Sequence, residues 1–187
     1  MKIGCAIFAG GKSSRMGTDK ALLQLEGKNF IKRLCDELDC FEERMIARGN
    51  QSDIEDISWI IIPDIYSERG PIGGLHAVLS ICESDAMFCV SCDMPLLQIS
   101  LVNYLCGFME EEVDAVIAVT EDGRKQPLCG IYRKSVLSVL EEQILAGDNR
   151  MMAALNKMRV KYVTIGLQDS QQLKNINTPE DFLAILK

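Results

Sequence analysis

A glycine-rich, cationic loop follows the first apolar run of the chain. The run Ile3–Phe8 ends in two glycines, and three cations come soon afterwards: Lys12, Arg15 and Lys20. Glycine lets the backbone turn tightly and brings N–H groups close to phosphate oxygens, while arginine and lysine neutralise phosphate charge. These residue types in this order predict a binding site for a phosphate-bearing anion. A plain glycine turn with solvated charges is the alternative that the loop itself leaves open.

Two familiar phosphate-binding motifs do not fit this loop. A P-loop that ends at Gly11-Lys12-Ser13 needs a glycine at position 6, where this chain has Ala6. The dinucleotide-binding pattern GxGxxG needs its second glycine at position 13, where this chain has Ser13. The loop therefore belongs to neither class.

Two aspartates follow strand-like apolar runs, at the strand ends where ligands of an α/β sheet bind. Asp64 follows the segment Trp59-Ile-Ile-Ile-Pro63, and Asp93 follows the run Ala86–Ser91. Mg²⁺ often takes only one or two carboxylates from a protein and the rest of its ligands from phosphate oxygens and water. A carboxylate held at a strand end, such as Asp93, could therefore be a Mg²⁺ ligand. A turn-forming or helix-capping aspartate is the alternative.

The spacing of Cys89 and Cys92 is that of a CxxC motif, which can bind zinc or support redox chemistry. The sequence has no second CxxC and only one histidine, His76, so it provides few ligands for a zinc site. Several of the eight cysteines lie in or beside apolar runs. This pattern is typical of free, buried thiols in a reducing compartment, and we predict a structural role for the pair.

Composition restricts the class of protein. The chain has 187 residues and is 48% hydrophobic, which is enough to bury a substantial core. Its 27 acidic residues outnumber 20 basic ones, which argues against broad nucleic-acid binding. Neither a signal-peptide pattern nor an apolar run of roughly 18 residues occurs in the sequence. We expect a cytoplasmic protein that binds neither nucleic acid nor a membrane.

Alternating strand and helix signals predict the elements that position these residues. The strands are expected at Ile3–Phe8, Arg44–Arg48, Ser58–Pro63, Ala86–Ser91, Ala115–Thr120, Gln126–Tyr132 and Val160–Ile165. The helices are expected at Phe30–Phe41, Pro71–Cys82, Leu101–Glu111, Lys134–Leu145, Arg150–Met158 and Pro179–Leu186, the last with Thr178 as its N-cap. The alternation is typical of a three-layer, Rossmann-like α/β sandwich with a mostly parallel, mixed sheet. Ligands bind beyond the carboxyl ends of such strands, so the loop Gly10–Lys20, Asp64 and Asp93 should converge on one edge.

The motifs of this chain resemble those of the nucleotidyltransferase family that contains molybdenum cofactor guanylyltransferase. Residues 9–22, AGGKSSRMGTDKAL, are similar to the family's opening motif, although Phe8 stands where the family usually has leucine. The segments GPIGGL (70–75), SCDMP (91–95), QPL (126–128) and NINTPED (175–181) follow in the family's order. The resemblance implies one nucleotidyltransferase domain over residues 1–187, with a nucleotide-binding half at about 1–100 and an acceptor-binding half at about 101–187.

The resemblance implies roles for the matching positions of the first half. The nucleotide would contact the main chain at Phe8, Ala9, Gly10 and Gly11, Asp64 would contact its base or ribose, and Lys20 would bind its phosphates. Three residues would be catalytic: Arg15, which would bind the leaving pyrophosphate or stabilise charge, Lys20, and Asp93 with its Mg²⁺.

Three matching positions of the second half are linked to the pterin acceptor: Arg150, Asn175 and Asn177. Arginine suits the acceptor's phosphate, and asparagine can pair with a pterin edge. Some family members have asparagine after the second strand, whereas this chain has Arg48 there and Asn50 two residues later. The residue that contacts the base from this segment therefore stays open.

The implied activity is transfer of GMP from Mg·GTP to molybdopterin (the molybdenum cofactor), with release of pyrophosphate. Cofactor-insertion proteins or apo-molybdoenzymes are the implied protein partners. Two alternatives stay open. One is a cytidylyltransferase, or a nucleotidylyltransferase for a sugar or alditol phosphate, with the same fold. The other is a non-catalytic nucleotide-binding module that delivers cofactor.

Overall fold

The computed structural model describes residues 1–10, 23–49 and 57–185 of the chain. The described strands are β1 Ile3–Phe8, β2 Gln24–Leu25, β3 Lys28–Asn29, β4 Arg44–Ala47, β5 Ile60–Ile62, β6 Ala86–Ser91, β7 Ala115–Val119, β8 Lys125–Arg133 and β9 Val160–Thr164. The described α-helices are α1 Phe30–Glu37, α2 Pro71–Ile81, α3 Ile99–Cys106, α4 Leu137–Leu145, α5 Met151–Leu155 and α6 Pro179–Ile185. Short 3₁₀ helices span Lys134–Val136 and Ser170–Leu173.

The central sheet is mixed and mostly parallel, as the alternation of elements predicted. Its strand order is β5-β4-β1-β6-β8-β7-β9, and β8 pairs antiparallel with both β6 and β7. The other neighbouring strands are parallel. Helices α1 and α3 pack on one face of the sheet, and α2, α4 and α5 pack on the other. The predicted three-layer, Rossmann-like α/β sandwich is therefore confirmed.

Strand register brings several predicted site residues to one edge of the sheet. Phe8 is paired with Ala47 on one side and with Ser91 on the other, and Ala47 is paired with Ile62. The residues that follow these strands, including Asp64 and Asp93, must then leave the sheet at the same edge. The convergence of these two aspartates follows the prediction.

Several element boundaries differ from the predictions; α5, for example, spans Met151–Leu155 rather than Arg150–Met158. Helix α1 ends at Glu37 rather than at Phe41, and α3 spans Ile99–Cys106 rather than Leu101–Glu111. The hairpin β2–β3 was not predicted; its turn has positive φ at both Glu26 (52°) and Gly27 (80°), the geometry of a tight two-residue turn. Among the described helices, none has the length and apolar character needed to cross a membrane.

The predicted N-cap of the last helix is confirmed by its hydrogen bonds. The Thr178 hydroxyl accepts from the Asp181 N–H at 3.1 Å, and Asp181 Oδ2 accepts from the Thr178 N–H at 2.9 Å. This reciprocal pair is a capping box with aspartate at its third helical position, and it fixes where the segment 175–178 ends and α6 begins.

The two cysteines of the CxxC motif lie in different parts of the core. Cys89 packs in the cluster that includes α2 and α4, and Cys92 packs in the cluster that includes α1 and α3. Both residues are buried, and burial raises the pKa of the Cys89 thiol. A buried thiol that resists ionisation packs as a small apolar side chain, which supports the predicted structural role.

Candidate active site

A cleft of about 530 Å³ opens at the edge where β1, β4, β5 and β6 end. Its walls are mainly apolar and come from the ends of these strands, the start of α2 and one residue of β8. The lining side chains and glycines include Phe8, Gly10, Arg48, Gly49, Asp64, Glu68, Gly70, Gly74, Ser91 and Leu128. Its size and its few polar groups are those of a pocket for a small organic ligand such as a nucleoside.

The start of the glycine-rich loop forms one wall of this cleft. The Phe8 carbonyl accepts from the Cys92 N–H at 2.9 Å, and the Ala9 N–H donates to the Ala47 carbonyl at 2.9 Å. These bonds hold the first part of the predicted nucleotide-binding backbone within the sheet. Phe8 contributes its ring to the cleft, and Gly10 lines it as the exposed end of the described segment. Gly11, Arg15 and Lys20 lie outside the described residues.

Asp64 lies at the end of β5 and faces the backbone that follows β4. A Cβ atom placed on Gly49 would be 3.5 Å from Asp64 Oδ2, and Gly49 has a positive φ of 62°. Burial raises the pKa of the Asp64 carboxyl above its usual value. A carboxylate that is partly removed from water accepts strongly from N–H or O–H donors, which is the chemistry predicted for its contact to a base or ribose.

The start of helix α2 forms the opposite wall. Gly70, the N-cap, has φ 64° and ψ −147°, a conformation that residues with side chains rarely adopt, and no side chain caps the helix there. One turn later, a Cβ atom on Gly74 would be 3.0 Å from Phe8 Cε1, so glycine lets α2 pack directly against the Phe8 ring. The positive end of the α2 dipole therefore adjoins the cleft, where it favours an anionic or electron-rich ligand group.

Arg48 and Gly49 occupy the segment for which the sequence left the base contact open. Arg48 is only 7% exposed and lines the cleft beside Gly49. Sequence reasoning also missed Glu68 and Leu128 as lining residues. The residue type of Glu68 does not predict its place in the cleft. Its distinguishing feature is a positive backbone φ of 60°, which the sequence does not reveal.

Asp93 lies two residues beyond β6, in a tight turn. The Met94 N–H donates to the Ser91 carbonyl at 3.1 Å, and the Asp93 carbonyl accepts from the Ile176 N–H at 2.8 Å. The described residues contain no group of three or more His, Cys, Asp or Glu side chains that could hold a metal ion by themselves. A single carboxylate on a fixed backbone turn at the sheet edge fits Mg²⁺, which completes its shell with phosphate oxygens and water.

A second cleft, of about 430 Å³, lies beside the Asp93 turn and contains Asn175 and Asn177. Asn175 Nδ2 donates to Oε1 of the buried Gln126 at 3.4 Å, so the two amides stand together. Arg124 and Lys174 also line this cleft. Sequence reasoning recognised the segment QPL but assigned no role to Gln126, and it did not consider Arg124 or Lys174.

Arg150 is the acceptor candidate that the structure places elsewhere. It is absent from the described residues that line the second cleft, and it precedes α5. Its guanidinium forms two hydrogen bonds with Asp148, Nε to Oδ1 at 2.8 Å and Nη2 to Oδ2 at 2.7 Å. These bonds hold the pKa of the Asp148 carboxyl far below its usual value. The structure therefore brings Asn175 and Asn177 together but not Arg150.

His76, the only histidine, lies outside both clefts as the described residues define them. It is buried in α2, its ring packs edge-on against Tyr66 at 5.0 Å, and burial lowers its pKa. A neutral, enclosed imidazole of this kind is a packing residue rather than a proton carrier for either cleft.

Comparisons with known proteins agree with this geometry. Residues 5–162 match the model of the MobA-like NTP transferase domain. A protein of Vibrio cholerae named "Molybdenum cofactor guanylyltransferase" is 32% identical over 94% of this chain and 87% of its own length. A Clostridium perfringens protein named "Probable molybdenum cofactor guanylyltransferase" is 32% identical over 100% of this chain and 98% of its own.

A solved structure has the same fold. The crystal structure of molybdopterin-guanine dinucleotide biosynthesis protein A from Archaeoglobus fulgidus superposes with a TM-score of 0.84 over 98% of this chain and 96% of its own, at 24% identity. The matched domain, the similarity over the full length and the shared fold lead to one conclusion. The chain belongs to the MobA-like NTP transferase family and is a nucleotidyltransferase.

Proposed function

We propose that this enzyme transfers GMP from Mg·GTP to the phosphate of molybdopterin, the molybdenum cofactor, and releases pyrophosphate. The relatives named above as guanylyltransferases support the choice of donor and acceptor. The first cleft would hold the nucleoside of GTP and the second cleft the pterin acceptor. Phosphoryl-type transfer depends mainly on positioning and charge stabilisation, and the proposal assigns these tasks to the chain's own residues.

The nucleotide side of the proposal rests on the first cleft. Its apolar walls, including the Phe8 ring and Leu128, suit a base, and the ionised Asp64 carboxylate can accept from guanine N–H groups or ribose hydroxyls. Phe8, Ala9, Gly10 and Gly11 would provide the backbone of this site. Lys20 and Arg15, on the same loop, would bind the phosphates and the leaving pyrophosphate.

Asp93 would hold the Mg²⁺ ion. When bound, the ion would screen the repulsion between the two anionic substrates and polarise the α-phosphate. The fixed turn around Asp93 would hold the backbone of this ligand at the carboxyl edge of the sheet. The attacking oxygen belongs to a phosphate that is already ionised, so the chain needs no general base, which agrees with the enclosed position of His76.

One observation carries the proposal. The 2.8 Å bond from the Ile176 N–H to the Asp93 carbonyl joins the NINTPED segment to the turn of the candidate metal ligand. Asn175 and Asn177, which flank Ile176 and line the second cleft, are thereby tied to the Asp93 turn. A pterin bound by these amides would lie next to the α-phosphate of a nucleotide in the first cleft. Arg150, which is not among the described residues that line the second cleft, would contact the acceptor by exchanging its Asp148 partner for one of the acceptor's polar groups.

The decisive test identifies the product. The protein is incubated with Mg²⁺, molybdenum-loaded cofactor and each of GTP, CTP, ATP and UTP in separate reactions. We expect a pterin guanine dinucleotide from GTP alone, with one pyrophosphate released for each product molecule. A cytosine dinucleotide, or product formation without the pterin acceptor, would contradict the proposal. Apo-molybdoenzymes or cofactor-insertion proteins in the cytoplasm would then receive the product.

A further inference from the structure

The turn between β7 and β8 holds Arg124 at the rim of the second cleft. The Thr120 N–H donates to the Arg124 carbonyl at 2.9 Å, and the Gly123 N–H donates to the Thr120 carbonyl at 2.8 Å. The Arg124 N–H donates in turn to the Thr120 hydroxyl at 3.0 Å. Gly123 has a positive φ of 85°, which lets the turn close tightly. These bonds fix the backbone from which the Arg124 side chain extends.

The carboxylates of this cleft are already engaged with local donors. Asp122 Oδ1 accepts from the Thr120 hydroxyl and from the Arg124 N–H, and Asp181 Oδ2 accepts from the N–H groups of Asn177 and Thr178 at 2.9 Å each. Among the described residues, no hydrogen bond or salt bridge involves the Arg124 guanidinium. Within the described part of the chain, the cleft therefore offers an arginine fork that makes no hydrogen bond or salt bridge, although its charge acts on the neighbouring Asp122 carboxylate and helps to lower the pKa of that group.

Arg124 differs in this respect from Arg150. Both are exposed arginines in the second half of the chain, but the Arg150 fork is held by the two oxygens of Asp148. A phosphate that binds Arg150 must displace this carboxylate, whereas one that binds Arg124 need not. Lys174 adds a second cation to the wall of the Arg124 cleft. A guanidinium fork with a nearby ammonium matches the geometry and charge of a phosphate monoester.

We propose that Arg124, assisted by Lys174, binds the phosphate of the pterin acceptor and directs its attacking oxygen toward the nucleotide. This inference rests on the proposed function. The amides of Gln126 and Asn175 stand together in the same cleft, and Ile176 connects Asn175 to the Asp93 turn. An acceptor phosphate at Arg124 would thus lie in the cleft that adjoins the candidate metal ligand.

The sequence provides a matched control in the next residue. Lys125 is also an exposed cation, but its ammonium lies 4.1 Å from the centre of the Tyr162 ring and outside the lining of the cleft. The variants are Arg124→Ala, Arg124→Lys and Lys125→Ala in the full chain. Two ligands are titrated by pterin fluorescence: a pterin with a phosphate monoester side chain, and the same pterin after phosphatase treatment. GTP affinity and the KM for molybdopterin in the transfer reaction are measured alongside.

We expect wild type and Lys125→Ala to prefer the phosphorylated pterin to the same degree. Arg124→Ala should lose about ten- to a hundredfold in affinity for the phosphorylated pterin, as for a lost charged hydrogen-bonding group, and should bind the dephosphorylated pterin normally. Its GTP affinity should stay unchanged and its KM for molybdopterin should rise. The affinity of Arg124→Lys for the phosphorylated pterin should lie between those of wild type and Arg124→Ala, because lysine keeps the positive charge but not the two-pronged guanidinium geometry.

The outcomes separate this inference from the proposed function. If Arg124→Ala keeps the preference for phosphorylated pterin that Lys125→Ala shows, the proposed role of Arg124 is wrong, whether or not the enzyme transfers GMP. If the wild type shows no such preference, the inference is also overturned. If the wild type prefers phosphorylated pterin and Arg124→Ala does not, while no GMP is transferred, the anion-binding role stands and the proposed function fails.

Discussion

Two aspartates at the same edge of the sheet occupy different environments, which suits different tasks. Asp64 lies against Gly49 in an apolar cleft, and burial raises its pKa. Asp93 lies in a turn closed by the bond from the Met94 N–H to the Ser91 carbonyl, and its own carbonyl accepts from the Ile176 N–H. The first environment would strengthen hydrogen bonds to a nucleoside in the proposed site, and the second fixes the backbone from which the proposed metal ligand extends.

At Asp93, we expect Asp93→Asn to lower turnover about a hundredfold at limiting Mg²⁺, because a neutral amide replaces the carboxylate that would hold the ion. Activity is measured as a function of Mg²⁺ concentration, and excess Mg²⁺ should restore part of the loss. Asp36→Asn, which removes an exposed carboxylate paired with Lys28, is the control and should behave like wild type. Wild-type activity of folded Asp93→Asn at limiting Mg²⁺ would refute the metal assignment.

At Asp64, the raised pKa predicts opposite effects on stability and binding. The folded state holds the proton more tightly than the unfolded state, so the ionised carboxylate costs stability above the folded pKa, and this cost disappears as pH falls through that pKa. Asp64→Asn should therefore be at least as thermally stable as wild type at neutral pH, and its advantage should vanish on acidification. Thermal unfolding over a pH series measures this difference.

The same substitution should weaken GTP binding about ten- to a hundredfold at neutral pH, because the charged acceptor is lost. The GTP affinity of the wild type should fall as pH drops through the Asp64 pKa, whereas the GTP affinity of the variant should not show this pH dependence. An Asp64→Asn protein that is clearly less stable at neutral pH and binds GTP normally would show that Asp64 is a structural carboxylate.

At the scale of elements, the packing of α2 against β1 shapes the first cleft, the proposed nucleotide site. Because Gly74 has no side chain, the Phe8 ring can lie directly against the helix. A Cβ atom added at Gly74 would lie only 3.0 Å from Phe8 Cε1. The ring is 6% exposed and lines the cleft, so it has little room to withdraw. A side chain at position 74 would push the ring toward the space of the ligand.

We expect Gly74→Ala to lower GTP affinity about tenfold, since overpacking of about 1–3 kcal/mol is relieved by displacing the ring into the cleft. Phe8→Leu shortens this side chain, so the double variant should recover much of the affinity. Gly166→Ala, at a position with no atom within 4 Å of an added Cβ, is the control. Equal GTP affinities in Gly74→Ala and Gly166→Ala would show that this contact does not shape the site.

The sequence predicted the elements that apolar runs define and missed those that depend on backbone conformation. Strand β6 follows its prediction because its apolar run, Ala86–Val90, lies between the polar residues Asp85 and Ser91. The hairpin β2–β3 depends on a positive φ at Glu26, which residue type does not reveal. Likewise, Asp64 and Asp93 could be placed at one edge from their positions after strands. Arg124, Gln126 and Leu128 could not, because only the antiparallel direction of β8 brings its start to that edge.

At the scale of the whole molecule, two stretches far apart in sequence meet at one sheet edge. The first cleft is formed mainly by residues before position 100, and the second mainly by residues after it. The Ile176–Asp93 hydrogen bond joins the two sides. The proposed halves, about 1–100 and 101–187, should therefore bind different substrates while sharing one reaction centre.

Substitutions in the two halves should separate the two substrates. Lys20→Ala should weaken GTP binding about ten- to a hundredfold, through loss of one charged contact to phosphate. Arg150→Ala should leave GTP affinity nearly unchanged and reduce acceptor binding or transfer. Titrations of both variants with GTP and with molybdopterin measure this separation. Equal losses of GTP affinity in both variants, with acceptor binding intact, would contradict the two-half assignment.

The central claim is that the enzyme transfers a nucleotidyl group to the pterin phosphate at this edge of the sheet. Following the phosphorus atoms of GTP tests this claim most directly. Wild-type enzyme is supplied with Mg²⁺, molybdopterin and GTP labelled at either the α- or the γ-phosphate. We predict that α-label appears in the pterin product and that γ-label appears only in pyrophosphate. Transfer of γ-label to the pterin, or release of GMP with no labelled pterin product, would contradict the account.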